Sequence, residues 1–226
     1  MIALRRYPLT ATLLLLNGLI YLIVALWSGS LIDMAPKVLV EVGALFGPFV
    51  VLGDEWWRLL SAMFLHGGMT HLLMNLFSLY LIGRGAESYF SRSAYLSLYL
   101  SSGVIGGLVS LLMHPVSVGV GASGAIFGLF GALAGFFLAH REQIAEHTRA
   151  FMKDFALLIG LNLVIGFAIP AVDVSAHMGG LIVGGIGGYL LSRNPKWLLP
   201  YSVVMLCVAW MLGAYSVAHY DLHALL

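Results

Sequence analysis

Seven stretches of this chain are almost continuously apolar, and most polar residues gather between them. The runs lie at about Leu9–Trp27, Leu59–Ile82, Ala94–Met113, Ala122–Ala139, Phe155–Ile169, Ala176–Leu191 and Leu198–Ala218. A bilayer core takes ~20 helical residues to cross, so the fifth and sixth runs are short. Glycine-rich short helices still cross when tilted or where the bilayer thins. The pattern predicts an all-α, polytopic membrane helix bundle, organised as one membrane domain over residues 1–226. Its core covers about 9–192, and an extra C-terminal helix covers about 198–218.

Composition agrees with that pattern. Of 226 residues, 61% are hydrophobic and 9% charged, with mean hydropathy +0.97. A soluble domain carries about a quarter charged residues. The one cysteine, Cys207, lies in an apolar run, which excludes an internal disulfide or thiolate metal cluster and leaves a packing role. The net charge of +1 says little; its distribution says more. Arg5, Arg6, Arg84, Arg92, Arg141, Arg149, Lys153, Arg193 and Lys196 all fall on one side of the seven runs, and only Lys37 and Arg58 on the other. The positive-inside rule therefore predicts a cytoplasmic N-terminus and an external C-terminus. No small-residue cleavage site clearly ends the first run, so it is expected to be a retained span. The expected location is a bacterial plasma membrane.

This topology brings three polar constellations to similar depth on the external side. The fourth run opens with GVGASGAIFGLFGALAG and its Ser123, the sixth with SAHMGGLIVGGIGG and its His177, and the second carries His71 and Asn75. A serine at a helix start sits beside N–H groups that have no partner within the helix. Gly124 and Gly128 leave one face of that helix bare, and Gly180, Gly184 and Gly188 form a matching stripe after His177. Two such faces packed together would bring the Ser123 hydroxyl within hydrogen-bond reach of His177. His71 and Asn75, four apart, share a helix face and offer two donors to one acceptor; taken alone, they fit a polar pair gluing two helices at least as well. His140, His147, His219 and His223 occupy solvated positions, while His66 and His114 are read as interfacial or structural.

Several chemistries are excluded. No HExxH motif occurs, so a zincin-type metal site is absent and neither metal nor other cofactor is expected. None of the ten acidic residues falls within an apolar run, which removes a paired-aspartate mechanism and the proton-relay acids of many transporters. Asp173, four before His177, is either a third triad member or a loop residue, and the loop role is preferred. The long first loop, about Ser28 to Arg58, is apolar enough to lie partly in the interface, with Trp56, Trp57 and Arg58 as interfacial anchors.

Between Trp56 and Gly188 the sequence resembles the rhomboid family of intramembrane serine proteases. The resemblance rests on an ordered set of motifs: WWR before the second run, FLHGGMTHLLMN entering it, GASGAIFG opening the fourth and AHMGGLIVGG opening the sixth. It implies a six-helix core plus one C-terminal helix. It also implies a Ser123 nucleophile, a His177 general base, and an oxyanion site from His71, Asn75 and the Ser123 N–H. Trp57 and Arg58 match a structural motif of the first loop, and Gly121, Gly124, Gly128, Gly180 and Gly184 are the packing residues near the site. Phe127 stands where some members have a tyrosine that packs on the base, so stacking is kept and a hydroxyl lost.

The implied activity is endopeptidase cleavage of transmembrane substrates near the external face by a Ser-His dyad. The partners would be membrane-protein helices and lipids, with no nucleic acid, and the fifth run and the AIPAVDVS loop would act as gate and cap. The oligomeric state is left open. A catalytically silent relative that binds and escorts membrane helices is the alternative; a small transporter would show inverted repeats and buried charges, and neither is evident.

Overall fold

The structure, a computed structural model, describes residues 6–143 and 172–220. The fifth predicted span, about Phe155–Ile169, and Pro170 lie outside the described residues. Within them are six long helices: α1 (Pro8–Ser28), α4 (Met69–Tyr89), α5 (Arg92–Met113), α6 (Ser123–Ala139), α7 (Val174–Arg193) and α8 (Leu198–His219). Two short ones, α2 (Pro36–Glu41) and α3 (Arg58–Ser61), sit in the first connection. No β-strand occurs among the described residues; Asp33–Gly68 and Leu45–Gly119 form isolated backbone bridges.

Local chemistry sets the helix ends. Pro8 opens α1, where its missing N–H costs nothing, and Gly29, at φ +73°, ends it in a left-handed turn. Ser91 caps α5 by accepting from the Ala94 N–H at 3.3 Å. Asp173 caps α7 by accepting from the Ala176 N–H at 3.1 Å.

With α8 extended by the turn at Pro195–Trp197, α1, α5, α7 and α8 are each long and apolar enough to cross a membrane. At 17 residues, α6 spans only ~25 Å. Helix α4 is as long as α1 but carries His71, Asn75, Arg84 and Glu87. Glu87 turns inward and accepts from the Leu9 and Thr10 N–H groups, both at 2.8 Å, and from Thr10 Oγ1 at 2.7 Å. One carboxylate thereby satisfies two donors that the start of α1 leaves open. The chain is an integral membrane protein.

The second predicted span, Leu59–Ile82, differs from the observed helix. Its first ten residues form α3, a 3-10 turn at Ala62–Phe64 and an extended passage to Gly68; α4 begins at Met69 and runs to Tyr89. The break falls at Gly67 and Gly68, where the backbone pairs with the first loop: Met34 N–H to Gly67 O at 2.9 Å and Met69 N–H to Ile32 O at 2.8 Å.

Helices α6 and α7 run parallel in fixed register and form the centre. A Cβ on Gly180 would lie 2.0 Å from Gly124 O, one on Gly184 1.8 Å from Gly128 O, and one on Gly188 2.2 Å from Ala132 O. The two backbones touch at each rung, with no side chain between them. On the flank, α5 closes just as tightly, a Cβ on Gly106 falling 2.7 Å from Ala176 O.

Candidate active site

Four predicted residues come from three helices. Ser123 is the first residue of α6, preceded by Ala122, and no side chain caps that helix start. The first-turn N–H groups therefore keep the capacity to bind an incoming anion. One residue on, Gly124 faces Ala176 of α7, with a Cβ there lying 3.5 Å from Ala176 O. His177 follows Ala176, so the serine and the histidine begin facing helices at one level.

The imidazole orientation is fixed by an aromatic contact. The His177 ring stacks on Phe127, with centroids 4.2 Å apart and planes 10° from parallel. Phe127 lies four residues after Ser123, on the same α6 face, so the imidazole lies over the serine-bearing face. The ring is buried and its Nδ1 has no hydrogen-bond partner. No hydrogen bond joins Ser123 to His177 in this structure.

His71 approaches from α4. Gly121 holds φ +121°, and a Cβ there would meet His71 Nε2 at 2.8 Å and Ser123 Oγ at 3.8 Å. The glycine is needed both for its backbone conformation and for room beside the ring. Its N–H donates to Ala62 O at 2.9 Å, and Gly119 just before it pairs with the first loop (Leu45 N–H to Gly119 O, 2.9 Å; Gly119 N–H to Leu45 O, 2.8 Å). Asn75 is buried and donates from Nδ2 to His71 O at 2.9 Å. One of its two amide N–H groups is thus directed along its own helix, and the other remains.

Several sequence-based roles are narrowed or changed by the structure. Of the two readings left open for His66, interfacial or structural, burial favours the structural one: it is 2% exposed, with no partner on either ring nitrogen. It meets His71 edge-on, with centroids 5.2 Å apart. Its HxxxxH spacing to His71 was the available signal. Arg58 is not a headgroup anchor: it is 5% exposed, bonded to Glu55 at 2.7 Å, to Val40 O at 2.7 Å and to Ala44 O at 3.0 Å. The rings of Phe49 and Trp57 flank its guanidinium at 4.8 and 4.9 Å. It gathers the first loop's carbonyls, while Trp57 stays half exposed.

Asp173 lies in the loop before α7, as preferred, and there serves as the cap of that helix. Oδ1 accepts from Ser175 Oγ and the Ala176 N–H, and Oδ2 accepts from Ser110 Oγ of α5. Burial alone would raise its carboxyl, but those three hydrogen bonds and the charge at His114 hold it below the ordinary value. Ser110 was not singled out by the sequence; a lone hydroxyl near the end of an apolar run carries no pattern. Among the described residues no group of histidine, cysteine or acidic side chains could hold a metal ion.

Comparison with known proteins gives this arrangement a lineage. The Rhomboid domain family profile matches residues 53–194. RHOMBOID-like protein 6, mitochondrial, of Arabidopsis thaliana is 39% identical over 160 residues, 71% of this chain and 52% of that protein. Rhomboid protease GluP of Bacillus subtilis (strain 168) is 37% identical over 148 residues, covering 66% of this chain and 28% of its own. Putative rhomboid protease YdcA of the same organism is 34% identical over 190 residues, 83% of this chain and 88% of that protein. The chain spans about half the length of the first plant relatives it matches. The match covers α3 through α7 and every residue assembled around Ser123, and the chain belongs to the rhomboid family.

Proposed function

We propose that the chain is an intramembrane serine endopeptidase with Ser123 as nucleophile and His177 as general base. One observation carries the proposal: the His177 ring is stacked 4.2 Å from Phe127, over the α6 face whose first residue is Ser123. In this mechanism His177 takes the Ser123 proton as the hydroxyl attacks a peptide carbonyl. The oxyanion meets the Ser123 N–H, His71 and the remaining Asn75 N–H. His177 then protonates the leaving amine, and water releases the acyl group. The Ser-His hydrogen bond, not made at rest, forms as the substrate docks. Burial strengthens each donor, and one oxyanion donor contributes ~3 kcal/mol to the transition state.

The substrates we infer are transmembrane helices with small or helix-breaking residues near the external face, because a helical carbonyl is already hydrogen-bonded. A site opening to the external side follows from the lysine and arginine distribution, and location in a bacterial inner membrane belongs to the same proposal. The test is cleavage of a transmembrane substrate by purified protein in detergent or liposomes. Ser123→Ala and His177→Ala are each expected to abolish cleavage in folded protein, and a fluorophosphonate is expected to label Ser123. Wild-type protein that never cleaves under any lipid condition would instead favour a helix-binding relative, and turnover by Ser123→Ala would remove the nucleophile assignment.

A further inference from the structure

We propose that Asp173 is a positioning residue for His177, one that never touches the imidazole. It caps the first turn of α7, straps that turn to α5 through Ser110, and keeps a fixed negative charge one turn away. The inference rests on the dyad proposed above. The carboxylate is fully engaged, with Ser175 and the Ala176 N–H on one oxygen and Ser110 on the other. His177 Nδ1 is buried without a partner, so this is not a Ser-His-Asp relay.

Geometry makes the strap consequential. Ala176 lies between cap and imidazole and is wedged between two backbones: a Cβ on Gly106 would come 2.7 Å from its carbonyl oxygen, and one on Gly124 3.5 Å. Ser110 is buried on α5, so its bond to Asp173 sets how far α7's first turn seats into the cleft between α5 and α6. Displacing that turn by a fraction of an ångström would move the imidazole across the face carrying Ser123, and catalysis is steeply sensitive to such misplacement.

The charge acts separately from the strap. When His177 takes the serine proton it becomes an imidazolium, and a fixed carboxylate in a half-buried setting stabilises that cation. Among the described residues the charged and titratable groups around it are few. His71 faces it from α4, His114 at the end of α5 faces Asp173, and α6 presents none. Asp173 is the one acidic group in this set. Its hydrogen bonds and the His114 charge keep it ionised through the working range.

The experiment measures kcat and KM against pH for the full chain in liposomes with a transmembrane peptide substrate. Asp173→Asn keeps a side chain able to cap but removes the charge. It is expected to lower kcat about five-fold or more at unchanged KM, and to move the acid limb of kcat/KM to lower pH by roughly half a unit. Ser110→Ala keeps the charge and cuts the strap, so kcat falls about two- to three-fold while the limb stays in place. Asp173→Ala combines both losses and also lowers thermal resistance. If Asp173→Asn fails to fold, Asp173→Ser serves as the neutral cap. A neutral-cap variant with wild-type kcat and an unmoved limb overturns the inference, as does Ser110→Ala moving the limb equally. In both outcomes the wild type still cleaves and Ser123→Ala does not, leaving the dyad intact. A wild type that never cleaves overturns the dyad and the inference with it.

Discussion

The α6–α7 seam and the α5–α8 seam hold helices together by opposite means. At the first, side chains are removed until carbonyl oxygens and Cα atoms touch at Gly124–Gly180, Gly128–Gly184 and Ala132–Gly188. At the second, side chains are added: Ser97 and Ser202 hydroxyls meet at 2.9 Å, as do Ser101 and Tyr201. The Tyr201 ring fills the space that Gly187 vacates. Tyr201 and Ser216 are the fully buried residues of α8; Met205, Val208, Ala209 and Leu212 pack half-buried against the core, while Leu199, Val203, Leu206 and Trp210 are exposed. Close backbone contact maximises dispersion and fixes the spacing to tenths of an ångström, which a site built across two helices requires. Polar stitches in a membrane average only ~0.6 kcal/mol each, because an unfolded helix in lipid also finds partners. The first seam is therefore rigid and intolerant, and the second is adjustable.

The sharpest way to break this contrast is Gly184→Leu. Its Cβ alone would fall 1.8 Å from Gly128 O, a backbone atom that cannot rotate aside. We expect a cost of about 3 kcal/mol or more and loss of any cleavage, read as early unfolding on heating or in a denaturing detergent. Wild-type resistance would mean the seam can open, and the rigidity argument would fail.

Next in size is Tyr201→Phe, which keeps the ring against Gly187 and removes the hydroxyl bonded to Ser101. A loss of about 1 kcal/mol is expected, with cleavage retained. A loss as large as that of Gly184→Leu would make α8 part of the rigid core.

How much of this was legible in the sequence follows the same division. The glycine stripes were visible because small residues four apart on two parallel spans leave a regular trace, and the Ser123 and His177 helix starts came with them. The first loop was not. Arg58 folds inward because Val40 and Ala44 present carbonyls to it, and Leu45 pairs with Gly119 across more than seventy residues. Such long-range backbone pairing has no period to read. The apolar run from Leu59 looked like one helix because hydropathy does not register the extended passage at Leu65–Gly68. The capping role of Asp173 went unread for a subtler reason. An aspartate directly before an apolar helix is a cap signal, but its position relative to His177 suggested a triad, and the choice then lay between triad and loop.

The smallest expected effect is the most discriminating, because it lies one residue from the largest. Gly185 belongs to the same helix as Gly184, yet a Cβ placed on it would first meet Gly131 O at 3.8 Å, an ordinary contact. A helical glycine is less favourable than alanine by about 0.5–1 kcal/mol, so Gly185→Ala should be neutral or stabilising by up to that amount. Gly184→Ala should be clearly destabilising in the same assay. Both substitutions add one methyl group and raise helix propensity equally, so composition and hydropathy cannot separate them. Only the facing backbone can. Equal damage from the two would show that α7 needs its glycines for flexibility or for lipid contact, and the register between α6 and α7 would no longer account for where the two candidate catalytic side chains sit.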